Sequence, residues 1–200
     1  MKIALLSGTS GLVGMQLLHQ LMKSAQYDFI LSVGRRKLAL KHNKLIQIEG
    51  DLFKLSSWDW EGKIRAEALG GEYNALLDAV NEKKAEIHAY SSLGTTIKVA
   101  GSKEKFYAID HDLVVGFAAW AKKLGATKFL YVSAMGADVS SSIFYNKVKG
   151  ETEEDLKRLN LLSPIVGHVG DGNFHCSLVC DVDNAEEMAR GEDFSDVMLL

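Results

Sequence analysis

Short apolar runs alternate along the chain with longer stretches in which apolar residues recur every three or four positions. The runs Lys2–Ser7, Phe29–Gly34, Leu45–Glu49 and Phe129–Ser133 read as strands. Leu12–Ser24 has helical spacing, with Leu17, Leu18 and Leu21 on one face. Asp112–Leu124 repeats that spacing with Leu113, Phe117, Trp120 and Ala121, and Ile143–Leu159 is a third helix. A polar, helical stretch is expected over Ala66–Lys84. Ile87–Ser92 is a weak strand, with His88 where an apolar residue belongs. Strand then helix, repeated, predicts an α/β fold: a doubly wound parallel sheet with helices on both faces. The single proline, Pro164, marks a change in character. Residues 1–160 are expected to form one domain, and residues 161–200 an atypical C-terminal segment packed on it.

The stretch "LLSGTSGLVG" sets Gly8, Gly11 and Gly14 after the first strand and at the opening of the first helix. In that place Gly8 allows a tight turn. Gly11 clears space for a pyrophosphate, and Gly14 lets the helix pack close to the sheet. The helix start would then offer free N–H groups and a positive dipole end to phosphates. An ordinary glycine turn would also satisfy the pattern. The second strand runs into "VGRR", where an acidic residue would favour NAD. Arg35 and Arg36 instead suit the 2′-phosphate of NADP, or are two solvated arginines. The third strand ends in "EGDLF", where Asp51 either accepts from an adenine amino group or caps a turn. All these positions fall at C-terminal strand ends, where open α/β sheets bind ligands.

"YNKVK" places Tyr145 and Lys149 on one helix face. An ammonium beside a phenol favours the phenolate, so such a tyrosine can exchange a proton with a substrate oxygen near neutral pH. Ser133 ends the strand "KFLYVS" twelve residues ahead of Tyr145 and can hydrogen-bond the same oxygen. The bland alternative is a surface helix carrying Tyr and Lys by chance.

With these motifs in view, residues 1–65 and 93–160 resemble the short-chain dehydrogenase/reductase superfamily. The nearest branch is the atypical NAD(P)H-binding oxidoreductases of the Tat-interacting-protein-like type. "GTSGLVG", "GRR", "GDLF", "LGTTIKVAGSKEKFYAIDHDLV", "KFLYVSAMGAD" and "YNKVKGETE" carry the likeness. The resemblance implies a Rossmann-like fold and a Ser–Tyr–Lys active site of Ser133, Tyr145 and Lys149. It implies NADP(H) held by Gly8, Thr9, Ser10, Gly11, Leu12, Val13, Gly14, Arg35, Arg36, Asp51 and Leu52, with NAD second. Leu93, Gly94 and Thr95 would pass close to the cofactor after the fourth strand. Many members place an asparagine in the preceding helix for proton relay; here "AIDHDL" has none. Neither Asp110 nor His111 is assigned a catalytic role, and His111 reads as a surface or helix-packing histidine.

Two stretches depart from that pattern. Ala66–Ser92 is longer and more polar than a buried parallel strand should be, so mostly helix is expected, with the strand reduced to its last few residues. From about residue 162 to 191 the chain instead resembles the C-terminal domain of FAD-linked oxidases of the D-lactate dehydrogenase type, carried by "GHVGDGNFH". That resemblance associates His168 and His175 with a divalent metal and a hydroxy acid. Without a third ligand in view, a structural β-hairpin with two loop histidines is expected, and no metal site. "PIVGHV" can also serve as a sixth strand.

Composition narrows the function classes. The 200 residues are 47% hydrophobic and 24% charged, with a net charge of -3, so no nucleic-acid partner is expected. No apolar run is long enough to cross a bilayer, and no membrane partner is expected. The N-terminus has no secretory pattern and the two cysteines, Cys176 and Cys180, do not have redox or zinc spacing, which leads to the expectation of a cytoplasmic protein. The expected partner is a small carbonyl or alcohol substrate, with a homodimer as the compatible assembly. Three readings follow: NADPH-dependent carbonyl reduction, an NADPH-binding module without turnover, and a fragment of a flavin-linked 2-hydroxy-acid dehydrogenase.

Overall fold

The structure is a computed structural model that describes residues 1–67, 73–161, 164–167 and 175–178, the last two ranges as backbone. Its first half reads β1 (Lys2–Ser7), α1 (Leu12–Lys23), β2 (Phe29–Gly34), β3 (Leu45–Glu49), α2 (Trp60–Glu67), α3 (Asn74–Asn81) and β4 (Glu86–Ser91). The second half reads α4 (Ile97–Ala100), α5 (Lys103–Tyr107), α6 (Leu113–Lys123), β5 (Ala126–Val132), α7 (Phe144–Arg158), β6 (Pro164–Gly167) and β7 (His175–Leu178). A 3₁₀ segment at Leu52–Ser57 follows β3, and a π-turn at Ala108–Asp112 joins α5 to α6.

The strands form one sheet in the order β3-β2-β1-β4-β5-β6-β7. Pairings from β3 through β6 are parallel, and β7 returns antiparallel on β6. The chain steps from β1 outward to β3, then crosses back to place β4 on the other side of β1. The order therefore reverses between β1 and β4, which opens a crevice at their C-terminal ends. Successive side chains of a strand face opposite ways. Ile3 and Leu5 join one core layer with Ile87, Ala89, Phe129, Phe117 and Leu156, under α2, α3, α6 and α7. Ala4 and Leu6 join the other with Leu18, Leu21, Tyr27 and Tyr90, under α1. The expected doubly wound parallel sheet is thus the observed fold.

Over Ala66–Ser92 the described residues follow the expected order, helix first and strand last. Two helices, α2 and α3, flank residues 68–72, which lie outside the described residues. The strand expected as a weak one over Ile87–Ser92 is β4, which is central: five of its six residues are buried, and it pairs with β1 and β5. Its polar reading came from His88, which is buried yet satisfied. The His88 Nδ1 shares a hydrogen bond of 2.8 Å with the Tyr27 hydroxyl, and its Nε2 lies 2.9 Å from Glu86 Oε1. The Tyr27 and Tyr90 hydroxyls share another at 2.6 Å. Partners on both ring nitrogens let an imidazole occupy a central strand without an unsatisfied polar atom.

The segment after α7 enters the same sheet. β6 pairs with β5 through Tyr131↔Ile165 and Val132↔Val166, so "PIVG" is the sixth strand. β6 and β7 form an antiparallel pair, the expected hairpin, but His175 stands on β7 opposite Gly167 rather than in the loop. His168 lies outside the described residues.

Burial, with Lys2 and Lys128 nearby, pushes the His88 imidazole down to about 4 from its ordinary 6.5. The unfolded chain therefore takes up this proton first as pH falls. The stability tied to neutral His88 is complete above about pH 6.5 and is lost as pH drops from there towards 4, by at most about 3 kcal/mol. Chemical denaturation across pH 4–7 should show a shallower acid loss in His88→Gln than in the parent chain. Equal slopes would mean that His88 does not titrate with folding.

Candidate functional site

The crevice between β1 and β4 is built around glycine backbone. Gly8 has φ +82°, a left-handed conformation that favours glycine. A Cβ there would lie 2.5 Å from the Ser92 carbonyl carbon and 2.7 Å from the Leu93 nitrogen. A Cβ on Gly14 would lie 2.3 Å from the Gly8 oxygen and 2.5 Å from the Ser92 hydroxyl. These two glycines therefore let the first turn, α1 and the segment after β4 pack against one another. Gly11 differs: a Cβ there meets only the Gly8 oxygen, at 3.4 Å, so its outer side faces open space.

Gly11 also caps α1, with no side chain accepting from the helix start and no acidic residue in the first turn. The opening amides are left for an anion, and the positive end of the helix dipole is not compensated locally. Ser10 and Leu12 are exposed and Val13 is half-buried. Thr9 is turned inward, sharing a 2.8 Å hydrogen bond with the Ser32 hydroxyl, so its backbone is what it offers to the crevice. This cradle fits a pyrophosphate.

Arg35 and Arg36 follow β2 and are both exposed; neither pairs with a carboxylate among the described residues. Asp51 caps the 3₁₀ segment, one carboxylate oxygen accepting from the Phe53 amide at 3.1 Å. The capping alternative for Asp51 is therefore realised, and Leu52 behind it is buried.

The segment after β4 links this cradle to the second group of expected residues. A Cβ on Gly94 would lie 3.3 Å from Asp110 Oδ1 and 3.8 Å from Lys149 Nζ. The Thr95 amide donates to Asp110 Oδ2 at 2.8 Å. Lys149 Nζ lies 2.8 Å from Asp110 Oδ1 and donates to the Tyr131 hydroxyl at 2.9 Å. All three side chains are buried: Asp110 1%, Lys149 3% and Tyr131 0% exposed. Burial works against the Lys149 charge, but Tyr131 and Asp110 hold the ammonium well above its ordinary value.

Tyr145 lies one turn from Lys149 on α7, with Lys149 Nζ 5.9 Å from its ring centroid. Its ring packs on Phe106 at 5.7 Å and it remains 37% exposed. The two phenols near Lys149 therefore divide: Tyr131 is hydrogen-bonded and sealed, while Tyr145 is accessible to a substrate. Ser133 follows β5 and donates to Glu153 Oε1, 2.5 Å away; burial raises the Glu153 carboxyl above its ordinary value. The structure thus brings Gly94, Thr95 and Lys149 together, with Tyr145 alongside, and turns the Ser133 hydroxyl to α7.

Asp110 is the residue that the sequence reading passed over. It lies in "AIDHDL", a stretch noted in the sequence only for having no asparagine. The π-turn presents its carboxylate to Lys149 and Thr95, while its carbonyl accepts from the Thr152 hydroxyl at 3.2 Å. His111, by contrast, is a packing histidine as expected. It stacks on Tyr107 at 4.5 Å, with its ring nitrogens 2.8 Å from Asp112 and 3.2 Å from Asp155.

Removing the ammonium alone should be costly, because it strands a buried carboxylate. Lys149→Met is expected to lower folding free energy by about 3–5 kcal/mol in denaturant titration. Asp110→Asn/Lys149→Met should recover a large part of that loss, as coupled neighbours do. Additive effects would show that the pair does not interact.

Comparison with known proteins identifies what this architecture is similar to. The family model described as FAD linked oxidases, C-terminal domain, matches residues 73–200, and the chain belongs to that family. The matched stretch includes β4, β5 and α7, so it overlaps the nucleotide-fold sheet as well as the "GHVGDGNFH" segment. "Protein FMP52-1, mitochondrial" of Scheffersomyces stipitis is 33% identical over 163 residues, covering 82% of this chain and 64% of its own. "Protein FMP52, mitochondrial" of Debaryomyces hansenii is 31% identical over 82% of this chain and 63% of its own. The chain thus spans a little under two thirds of the length of these curated relatives. Among solved structures, the Bordetella bronchiseptica enzyme WbmG in complex with NAD is 18% identical with TM-score 0.54, over 82% of this chain and 51% of that one. The UDP-Glc/GlcNAc 4-epimerase from Campylobacter jejuni is 14% identical with TM-score 0.59, over 84% and 53%. These likenesses establish the Rossmann-like fold, of the kind used by NAD-bound enzymes. The relatives' names overturn the cytoplasmic expectation, which had rested on cysteine usage and the absence of a secretory pattern; both features are equally compatible with mitochondria.

Proposed function

We propose that this chain is a mitochondrial, NADP(H)-binding oxidoreductase of the short-chain dehydrogenase/reductase type that reduces a small carbonyl compound. One observation carries the reading: the Ser92–Thr95 segment packs on the glycine turn at one end and on the Asp110–Lys149 pair at the other. A phosphate cradle and a buried ion pair next to Tyr145 are thereby joined through one short segment. The mitochondrial location follows the names of the FMP52 relatives.

When bound, the nicotinamide coenzyme would supply the hydride. The amides opening α1 would hold its pyrophosphate, with Gly11 giving close approach. Arg35 and Arg36 would take the 2′-phosphate, since exposed guanidinium forks match that anion. Lys149, beside Gly94, would fix the ribose. Tyr145 would give its hydroxyl proton to the substrate oxygen, because it is the accessible phenol. Ser133 would orient that oxygen once its hydroxyl turns from Glu153. Membership of the FAD linked oxidase family favours flavin-linked oxidation of a 2-hydroxy acid as a second reading; purified protein with flavin absorbance would support it.

In fluorescence titrations, NADPH should bind more tightly than NADH by about 10-fold or more, the scale of one charge-assisted contact. Arg35→Ala/Arg36→Ala should abolish that preference while keeping NADH binding; an unchanged preference refutes the arginine assignment. Tyr145→Phe should lower NADPH-dependent reduction of 4-nitrobenzaldehyde by about 100-fold or more with coenzyme binding intact. Full turnover in that variant removes Tyr145 from the mechanism. Coenzyme binding without any turnover in the parent chain would instead identify a binding module.

A further inference from the structure

The Asp110 carboxylate uses both oxygens, and it uses them on different elements. Oδ2 accepts from the Thr95 amide in the segment bordering the cradle, and Oδ1 meets the Lys149 ammonium on α7, each at 2.8 Å. Its own backbone is fixed separately, since its carbonyl accepts from Thr152 on α7 and, at 3.4 Å, from the Tyr131 hydroxyl on β5. The π-turn at Ala108–Asp112 places the carboxylate there, and Gly94 leaves room for it. Such a turn inside a helical run commonly marks a functional position.

We propose that Asp110 is a positioning residue, a carboxylate bridge that fixes the Lys149 ammonium against the coenzyme-bordering segment Gly94–Thr95. The proposal rests on the oxidoreductase reading above. An asparagine has one acceptor oxygen and would satisfy one of the two donors, leaving its own N–H₂ facing the other. A carboxylate accepts from both and keeps the lysine charged. The charged and titratable groups facing Lys149 among the described residues are Asp110 on the π-turn, Tyr131 on β5, and Tyr145 and Glu153 on α7. Asp110 is the one of these that both contacts the ammonium and reaches the segment after β4.

The test compares the full chain with Asp110→Asn and Asp110→Glu, using NADPH with 4-nitrobenzaldehyde as the probe carbonyl and reading kcat from pH 6 to 10.5. Asp110→Asn should lower kcat by about 10- to 100-fold, the scale of an ångström-sized misplacement. The basic limb of kcat, which Lys149 holds above the measured range in the parent chain, should move down into it in Asp110→Asn, because Lys149 loses the charge that holds its proton. Asp110→Glu should keep the limb in place while kcat falls, since charge is retained and geometry is not. An unmoved limb in Asp110→Asn, or unchanged kcat in both variants, overturns the bridge and leaves the oxidoreductase reading standing. If Asp110→Asn does not fold, Asp110→Glu decides: lower kcat at an unmoved limb supports the bridge, and any other result overturns it. A parent chain that neither binds nor oxidises NADPH overturns the oxidoreductase reading, and this proposal with it.

Discussion

The buried contact of Asp110 with Lys149 and the Thr95 amide is the constraint on which the rest of the site depends. Both side chains are almost wholly withdrawn from water, and each would be costly there without the other. The three elements they join, the π-turn, α7 and the segment after β4, are far apart in sequence. Once joined, the Ser92–Thr95 segment has little freedom. Its start is pressed against Gly8 and Gly14, where no Cβ fits.

From that constraint the site's electrostatics follow. The uncapped start of α1 and the exposed arginines after β2 place positive charge after the C-terminal ends of β1 and β2. On the α7 side the lysine's charge is matched by Asp110, so this wall is locally balanced. An anionic coenzyme would be drawn to the first side and aligned along the second. Tyr145, packed on Phe106, stays accessible one turn from Lys149.

The sheet beyond β5 joins two kinds of likeness. β6 continues the parallel order and β7 reverses it, within a stretch matched by the FAD linked oxidase C-terminal family. The aligned part of this chain covers about half of the solved enzymes that share the fold. In this chain the described sheet is shared between a nucleotide-type half and strands from the atypical segment.

The sequence by itself determined the architecture and the glycine turn after β1. Periodicity placed β1, β2 and β3 at their observed bounds, and the spacing of Gly8, Gly11 and Gly14 located the turn, because strand alternation and glycine's missing Cβ are local properties written in residue type. It placed β4 but only as a weak strand, since His88 looks unfit for a central strand until Tyr27, sixty-one residues away, supplies a partner. It named Tyr145 and Lys149 but paired them with each other. Only the tertiary structure decided that the lysine's hydrogen bonds go to Tyr131 and Asp110. Helical spacing tells which residues share a face, whereas the partner of a buried charge is chosen by the desolvated groups that other elements bring within reach, and no local pattern records that choice.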